Sequence, residues 1–203
     1  MSTVGRFEHY YESVEGRPPR PTLLFALDRW QAEHIHARGG IAVDLGCGAG
    51  RDTVELLRRD FRVSAIDPEP DAIAALTART DLPNRELLET VCARMEDAAW
   101  STCDIVNASF ALPLCPPDRF PGLWARIADS LRPGGRFAGQ LYGPEDEWAN
   151  PGLTIVTREQ LDAMLAPFDV ELLEEIQRVS ETGKGKMKRW HLFNIVARKR
   201  ATQ

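Results

Sequence analysis

Val43-Asp44-Leu45-Gly46-Cys47-Gly48-Ala49-Gly50 places three alternating glycines between an apolar run and a helical pattern. The run Ile41-Ala42-Val43-Asp44-Leu45 is apolar enough to be buried on both faces, as strands of parallel sheets are. Glycine removes side chains where a ligand must approach. A strand-to-helix turn of this kind also aims backbone N–H groups and a helix N-terminus at the carboxyl edge of the sheet. Outward from the loop the chain alternates. A helix is expected over 52–59, a strand over 61–66, a helix from about 71 to 79, and strands over 87–92 and 105–108. Phe120, Leu123, Trp124, Ile127 and Leu131 then mark one face of a helix over 117–131, which Pro133-Gly134-Gly135 ends. A strand over 136–142, a helix over 157–165 and two longer strands over 168–179 and 189–198 follow. The connection over 180–188 is too short for a crossover helix, so the last two strands should be antiparallel.

Upstream, Arg17-Pro18-Pro19-Arg20-Pro21 holds the backbone extended, and Pro21 opens a helix with Leu23, Leu27, Trp30 and His34 on one face. That helix can pack on the domain and carry the leader across a neighbouring cleft. The 203 residues fit one domain at about 100–200 residues each. We divide it into a leader and helix over 1–37 and a core over 38–203. With 43% hydrophobic and 27% charged residues the chain can bury a continuous core, which excludes disorder, collagen and coiled coil. A formal charge of -5 provides no broad positive field to follow a phosphate backbone, so no nucleic-acid partner is expected. Cys47, Cys92, Cys103 and Cys115 show no metal-ligand spacing and read as reduced thiols, with no metal implied. Residues 1–12 lack a basic patch followed by an apolar stretch, and no apolar run reaches the roughly 20 residues that cross a bilayer. A cytoplasmic protein without a membrane partner is the expectation, and oligomeric state is not legible.

A dinucleotide loop, G-x-G-x-x-G, would need its third glycine at position 51, where Arg51 stands. The G-x-G-x-G preceded by Asp44 instead resembles motif I of the class I S-adenosylmethionine-dependent methyltransferases. Ile66-Asp67-Pro68 supports the resemblance, because Asp67 ends the next strand 21 residues after Gly46, where a carboxylate can accept both ribose hydroxyls. The resemblance runs from Ile41 to Arg198 and is greatest to small single-domain tellurite-resistance-type methyltransferases, through Phe110-Ala111-Leu112-Pro113 and the ending Trp190 to Arg198. It implies an α/β, Rossmann-like three-layer sandwich around a mostly parallel seven-stranded sheet with an antiparallel last strand. It also implies S-adenosyl-L-methionine as cofactor, with Asp44 toward its amino-acid end, Gly46, Cys47, Gly48 and Gly50 forming the loop, and Asp67-Pro68 at the ribose. Many relatives carry Asp where Arg94 stands, so Met95 and Glu96 become the candidates for the adenine. Asn107 ends the fourth strand, beside the methyl donor.

Methyl transfer depends largely on positioning an acceptor in line behind a positively charged sulfur. Tyr10, Tyr11, Arg20, Phe110, Tyr142 and Trp148 are the candidate acceptor contacts, with the leader as a candidate lid. Tyr11, Tyr142 and His191 are the candidate proton acceptors, although a histidine sharing a face with Phe193 and Ile195 reads more readily as a hydrogen-bonded core residue. The tract Lys184, Lys186, Lys188 and Arg189 reads as a solvated turn, or alternatively as an attractor for an anionic small molecule. The expected function is methyl transfer to a small-molecule acceptor whose nucleophile is O, N or S. A non-catalytic cofactor-binding sensor or partner protein is the alternative from another class. A nucleic-acid methyltransferase is the weaker enzyme alternative, since Asn107-Ala108-Ser109-Phe110 is unlike N-P-P-Y.

Overall fold

The computed structural model describes residues 17–35, 39–182 and 185–201. The alternation resolves into helix α1 (Pro21–Glu33), strand β1 (Ile41–Leu45), α2 (Thr53–Arg58), β2 (Arg62–Asp67), α3 (Pro70–Ala78), β3 (Leu88–Cys92) and β4 (Cys103–Ala108). Then come α4 (Phe120–Ser130), β5 (Leu131–Tyr142), α5 (Arg158–Met164), β6 (Phe168–Glu181) and β7 (Met187–Lys199). All seven strands join one sheet in the order β3-β2-β1-β4-β5-β7-β6. The first five pair in parallel, and β7 runs antiparallel to both β5 and β6. The chain winds outward from β1 to β3 and then returns past β1 to β4. This reversal puts a crevice at the carboxyl ends of β1 and β4, the usual ligand position in such sheets.

Both sheet faces are covered, which explains why β1 reads as continuously apolar. On one face Leu23, Leu27 and Trp30 of α1 pack with Leu56 and Leu57 of α2, Leu76 of α3, and Ala42, Val63 and Ile105 of the sheet. On the other, Leu123, Trp124 and Ile127 of α4 and Leu161 of α5 meet Val43, Leu45, Val106, Phe137 and Phe193. Arg136, fully buried on β5, ties α1 to β6 through Glu33 Oε1 at 2.7 Å and Glu171 Oε2 at 2.7 Å.

Two boundaries differ from expectation for physical reasons. Strand β5 begins at Leu131 rather than 136, because Leu131 pairs with Cys103 before the register shifts and resumes at Ile105–Arg136. The interruption falls at Pro133, which has no N–H for the ladder. His34 lies just past α1, exposed, with its ring stacked on Trp30 at 4.3 Å rather than packed in the core. Among the described residues, no helix is long and apolar enough to cross a membrane.

Candidate functional site

Parallel pairing places Asp44 opposite Asn107, and side chains in register on neighbouring strands share a face. Asn107 Nδ2 therefore donates to Asp44 Oδ1 at 2.8 Å, while Thr53 Oγ1, at the start of α2, donates to Oδ2 at 2.6 Å. Asp52 extends the cluster. Its Oδ2 accepts from Ser109 Oγ at 2.6 Å and from Asn107 Nδ2 at 3.1 Å, and its Oδ1 accepts the Arg20 N–H at 2.9 Å. Although Asp52 occupies the N-cap position of α2, its side chain caps no helical N–H and joins the carboxyl-edge network instead.

The glycine loop is fastened to β2. Gly46 and Cys47 donate their N–H groups to Ile66 O at 2.8 and 3.1 Å, and Gly48 donates to Asp67 Oδ2 at 2.8 Å. Asp67 Oδ1 accepts the Glu69 N–H at 3.0 Å. Gly46, Gly48 and Gly50 have φ of 69°, 54° and 83°, left-handed values that favour glycine. Space adds a second demand at two of them, because a Cβ on Gly46 would overlap Ala111 Cβ and one on Gly50 would overlap Leu76 Cδ1.

Asp44, Asp52 and Asp67 are 2%, 5% and 7% exposed, and among the described residues they form no ion pair. Burial, with the Asp52 charge adding to it, raises Asp44 to about 7 against the opposing hydrogen bonds of Thr53 and Asn107. Burial also raises Asp67, opposed by the Glu69 and Gly48 N–H groups. Burial foremost, then Asp44 and Asp67, push the Cys47 thiol well up, so it is no nucleophile at neutral pH. Buried carboxylates without a cation suit a ligand that carries positive charge and hydroxyl donors, and oppose a pyrophosphate.

The structure thus gathers Asp44, the loop, Asp67 and Asn107 at one edge, with Pro68 next in line. Met95 and Glu96 follow the end of β3, one strand beyond β2. Met95 belongs to the larger core cluster, and buried Glu96 lies 3.7 Å from the Arg94 guanidinium.

On the acceptor side, Phe110 sits just past β4 with φ 57°, its N–H donating to Gln140 Oε1 at 3.1 Å. Gln140 Nε2 in turn donates to Thr22 Oγ1 at 2.9 Å. The Arg20 guanidinium lies 4.4 Å over the Phe110 ring, and Arg51 Nε donates to Pro18 O at 2.7 Å. The described part of the leader is therefore pinned to the rim of the crevice. Tyr10 and Tyr11 lie outside the described residues.

Tyr142, Trp148 and Trp190 surround the Lys188 ammonium at 4.5, 3.8 and 3.6 Å from their ring centres. Lys188 Nζ is also 2.6 Å from Asp146 Oδ1, an ion pair by distance that lacks hydrogen-bond alignment. Lys188 departs from the solvated turn expected of its tract, being 1% exposed. The β6–β7 ladder extends to the pair Glu181–Met187, which brings Lys188 into the sheet, where aromatic faces and Asp146 replace water. Burial lowers its pKa, against Asp146.

His191 Nδ1 accepts the Glu145 N–H at 3.1 Å, and its Nε2 lies 3.0 Å from Glu175 Oε1. Its ring also fills the space beside Gly143, where a Cβ would collide with it. Sequence reasoning missed Asp52, Ser109, Gln140, Asp146 and the burial of Lys188. The available signal was an acid two residues after Gly50, at a helix start.

Residues 42–135 match a methyltransferase domain family. The chain is 35% identical over 99 residues to a probable cobalt-precorrin-6B C(15)-methyltransferase (decarboxylating) of Methanothermobacter thermautotrophicus, covering 49% of this chain and 50% of that protein. It is 32% identical over 139 residues to a trans-aconitate 2-methyltransferase of Sinorhizobium medicae, covering 68% and 49%. The chain thus spans about half the length of these curated relatives. In fold it is similar to TehB from Haemophilus influenzae, with a TM-score of 0.69 at 17% identity over 85% of this chain and 62% of that one. The chain is therefore similar in sequence to methyltransferases and in fold to TehB.

Proposed function

We propose that this chain transfers a methyl group from S-adenosyl-L-methionine to a small-molecule acceptor at the carboxyl edge of β1, β2 and β4. One observation carries the reading: a glycine loop flanked by three buried carboxylates, Asp44, Asp52 and Asp67, that no cation neutralises among the described residues. The matched methyltransferase domain supports it. The relative named for trans-aconitate supports an acceptor of small-molecule size.

Asp44 and the loop around Gly46, Cys47, Gly48 and Gly50 would hold the amino-acid end, Asp67 with Pro68 the ribose, and Met95 with Glu96 the nucleobase, while Asn107 holds Asp44 in place. When bound, the cofactor supplies an electrophilic methyl group on a positively charged sulfur. The chain's own task is to orient that group, screen it from water and present the acceptor in line, and buried carboxylates favour the cationic ligand over its neutral product. Phe110, Arg20, Trp148 and Tyr142 would form the acceptor wall.

Incubation with methyl-labelled S-adenosylmethionine and a panel of thiols, phenols, carboxylates and amines tests this. Release of S-adenosylhomocysteine together with a labelled acceptor is expected. Stoichiometric cofactor binding without turnover across the panel would instead make the chain a cofactor-binding sensor or partner.

A further inference from the structure

We propose that the acceptor is a planar anion, a carboxylate or an acidic hydroxyl compound, docked through its negative oxygen by Arg20 against Phe110 and Trp190. The proposal rests on the methyl-transfer reading and adds the acceptor's chemical class.

Arg20 is held at both ends of its reach. Its backbone N–H is bound by Asp52, and its guanidinium carbon lies 4.4 Å over the centre of the Phe110 ring. A guanidinium is a planar fork of five N–H donors, a shape that grips a carboxylate with two hydrogen bonds. Among the described residues, the Arg20 side chain makes no hydrogen bond and no ion pair. Two neighbouring cations are committed, Arg51 to Pro18 O, and Lys188 to Asp146 and three aromatic rings. Arg20 is thus a positive charge at this rim that the described residues leave available.

The wall beside it is aromatic. Phe110 meets Trp190 edge-on with ring centres 6.3 Å apart, and Trp190 continues to Trp148 at 5.6 Å and Tyr142 at 6.5 Å. Trp148 keeps 47% of its surface exposed at the end of this row. Such a surface favours a flat acceptor over a branched one.

Among the described residues, the nitrogen bases His191 and Lys188 at this edge are also spent. The Nδ1 lone pair of His191 accepts from the Glu145 N–H, and Lys188 is enclosed. A neutral hydroxyl or ammonium acceptor must give up a proton in the course of methylation, whereas a carboxylate arrives already ionised. A lone pair on the ionised oxygen forms the new oxygen–carbon bond as the carbon–sulfur bond breaks with its pair remaining on sulfur. The products are a neutral methyl ester or ether and a neutral thioether, so no proton moves. The methylated group no longer pairs with Arg20, which favours its release.

The test is calorimetric titration of the full chain, first with S-adenosylhomocysteine and then, with that ligand saturating, with benzoate, cinnamate and trans-aconitate against their carboxamides. At least one carboxylate should bind tenfold or more tightly than its amide at low salt, with the preference shrinking several-fold at 0.5 M salt, roughly where screening acts within a few ångströms. Arg20→Gln should reduce the preference to about twofold, and Arg20→Lys should retain part of it, as expected when a planar cation is replaced by a point charge. Equal binding of acids and amides, or a preference that survives Arg20→Gln, overturns the proposal. Heat from S-adenosylhomocysteine without acid preference rejects the anionic acceptor alone, whereas absence of that heat rejects the cofactor reading beneath it.

Discussion

Asp44 is a residue whose function and contribution to stability should oppose each other. Folding carries it from an ordinary carboxyl at 3.8 to a buried one at about 7, burial being the chief cause. Between those values the native chain keeps a proton that the unfolded chain has lost, so stability falls as pH rises through that window and then levels off. Asp44→Asn should therefore melt several degrees above the parent at pH 8 and closer to it at pH 5, checked by scanning calorimetry without ligand. The same substitution should weaken S-adenosylhomocysteine binding about tenfold or more, because a charge-assisted contact is worth about 1.5–3 kcal/mol. A melting gap equal at both pH values would contradict the burial account. Asp44 and Asp67 are legible in the sequence because Asp44 lies one residue before the end of β1, beside the glycine loop, and Asp67 ends β2 before Pro68. Asp52 is not, since an acid at a helix start ordinarily caps the helix. Its turn toward Asn107 and Ser109 depends on β4 lying beside β1, which no local pattern announces.

At the level of elements, the glycine loop and the β6–β7 hairpin differ in how they show in the sequence. Gly50 must be left-handed and has Leu76 against it, so Gly50→Ala should cost about 1–3 kcal/mol of stability in urea unfolding. The hairpin is legible from its short connection, but the fate of its lysines is not. Lys186 is exposed whereas Lys188, two residues on, is enclosed by three rings contributed by β5, the following loop and β7 itself. Lys188→Met should cost on the order of 2–4 kcal/mol, as removal of one partner from a buried pair does. It should also shift the emission of Trp148 and Trp190, the readout that locates the change. The loss is moderated because Asp146 keeps the N–H bonds of Trp148 and His191.

Across the whole molecule, the leader helix is bound into the sheet by charge as well as by apolar packing. Arg136 holds Glu33 of α1 and Glu171 of β6, and its hydrogen bond is the largest influence keeping the Glu33 carboxyl below its usual range. A depressed carboxyl stabilises the fold above its unfolded value of 4.5, and that contribution is lost as pH falls through the lower folded value. Arg136→Gln should cost about 1.5–3 kcal/mol by removing charge-assisted hydrogen bonds from a buried guanidinium, Glu171 keeping Arg29 and Glu33 keeping Arg198, and should flatten the acid limb of the stability profile. The alternation of strands and helices and the antiparallel end of the sheet are legible from periodicity and loop length. The seating of β7 between β5 and β6, and hence the meeting of Tyr142, Trp148 and Trp190, comes from pairings between distant segments.

These scales converge on the crevice above the glycine loop, and calorimetric titration of the whole chain with S-adenosylhomocysteine and with NADH tests it most directly. The account predicts saturable heat for the former at one site per chain, weakened about 10–100-fold by Asp67→Ala through loss of the ribose hydrogen bonds, and none for the latter. Saturable heat with NADH and none with S-adenosylhomocysteine would contradict it.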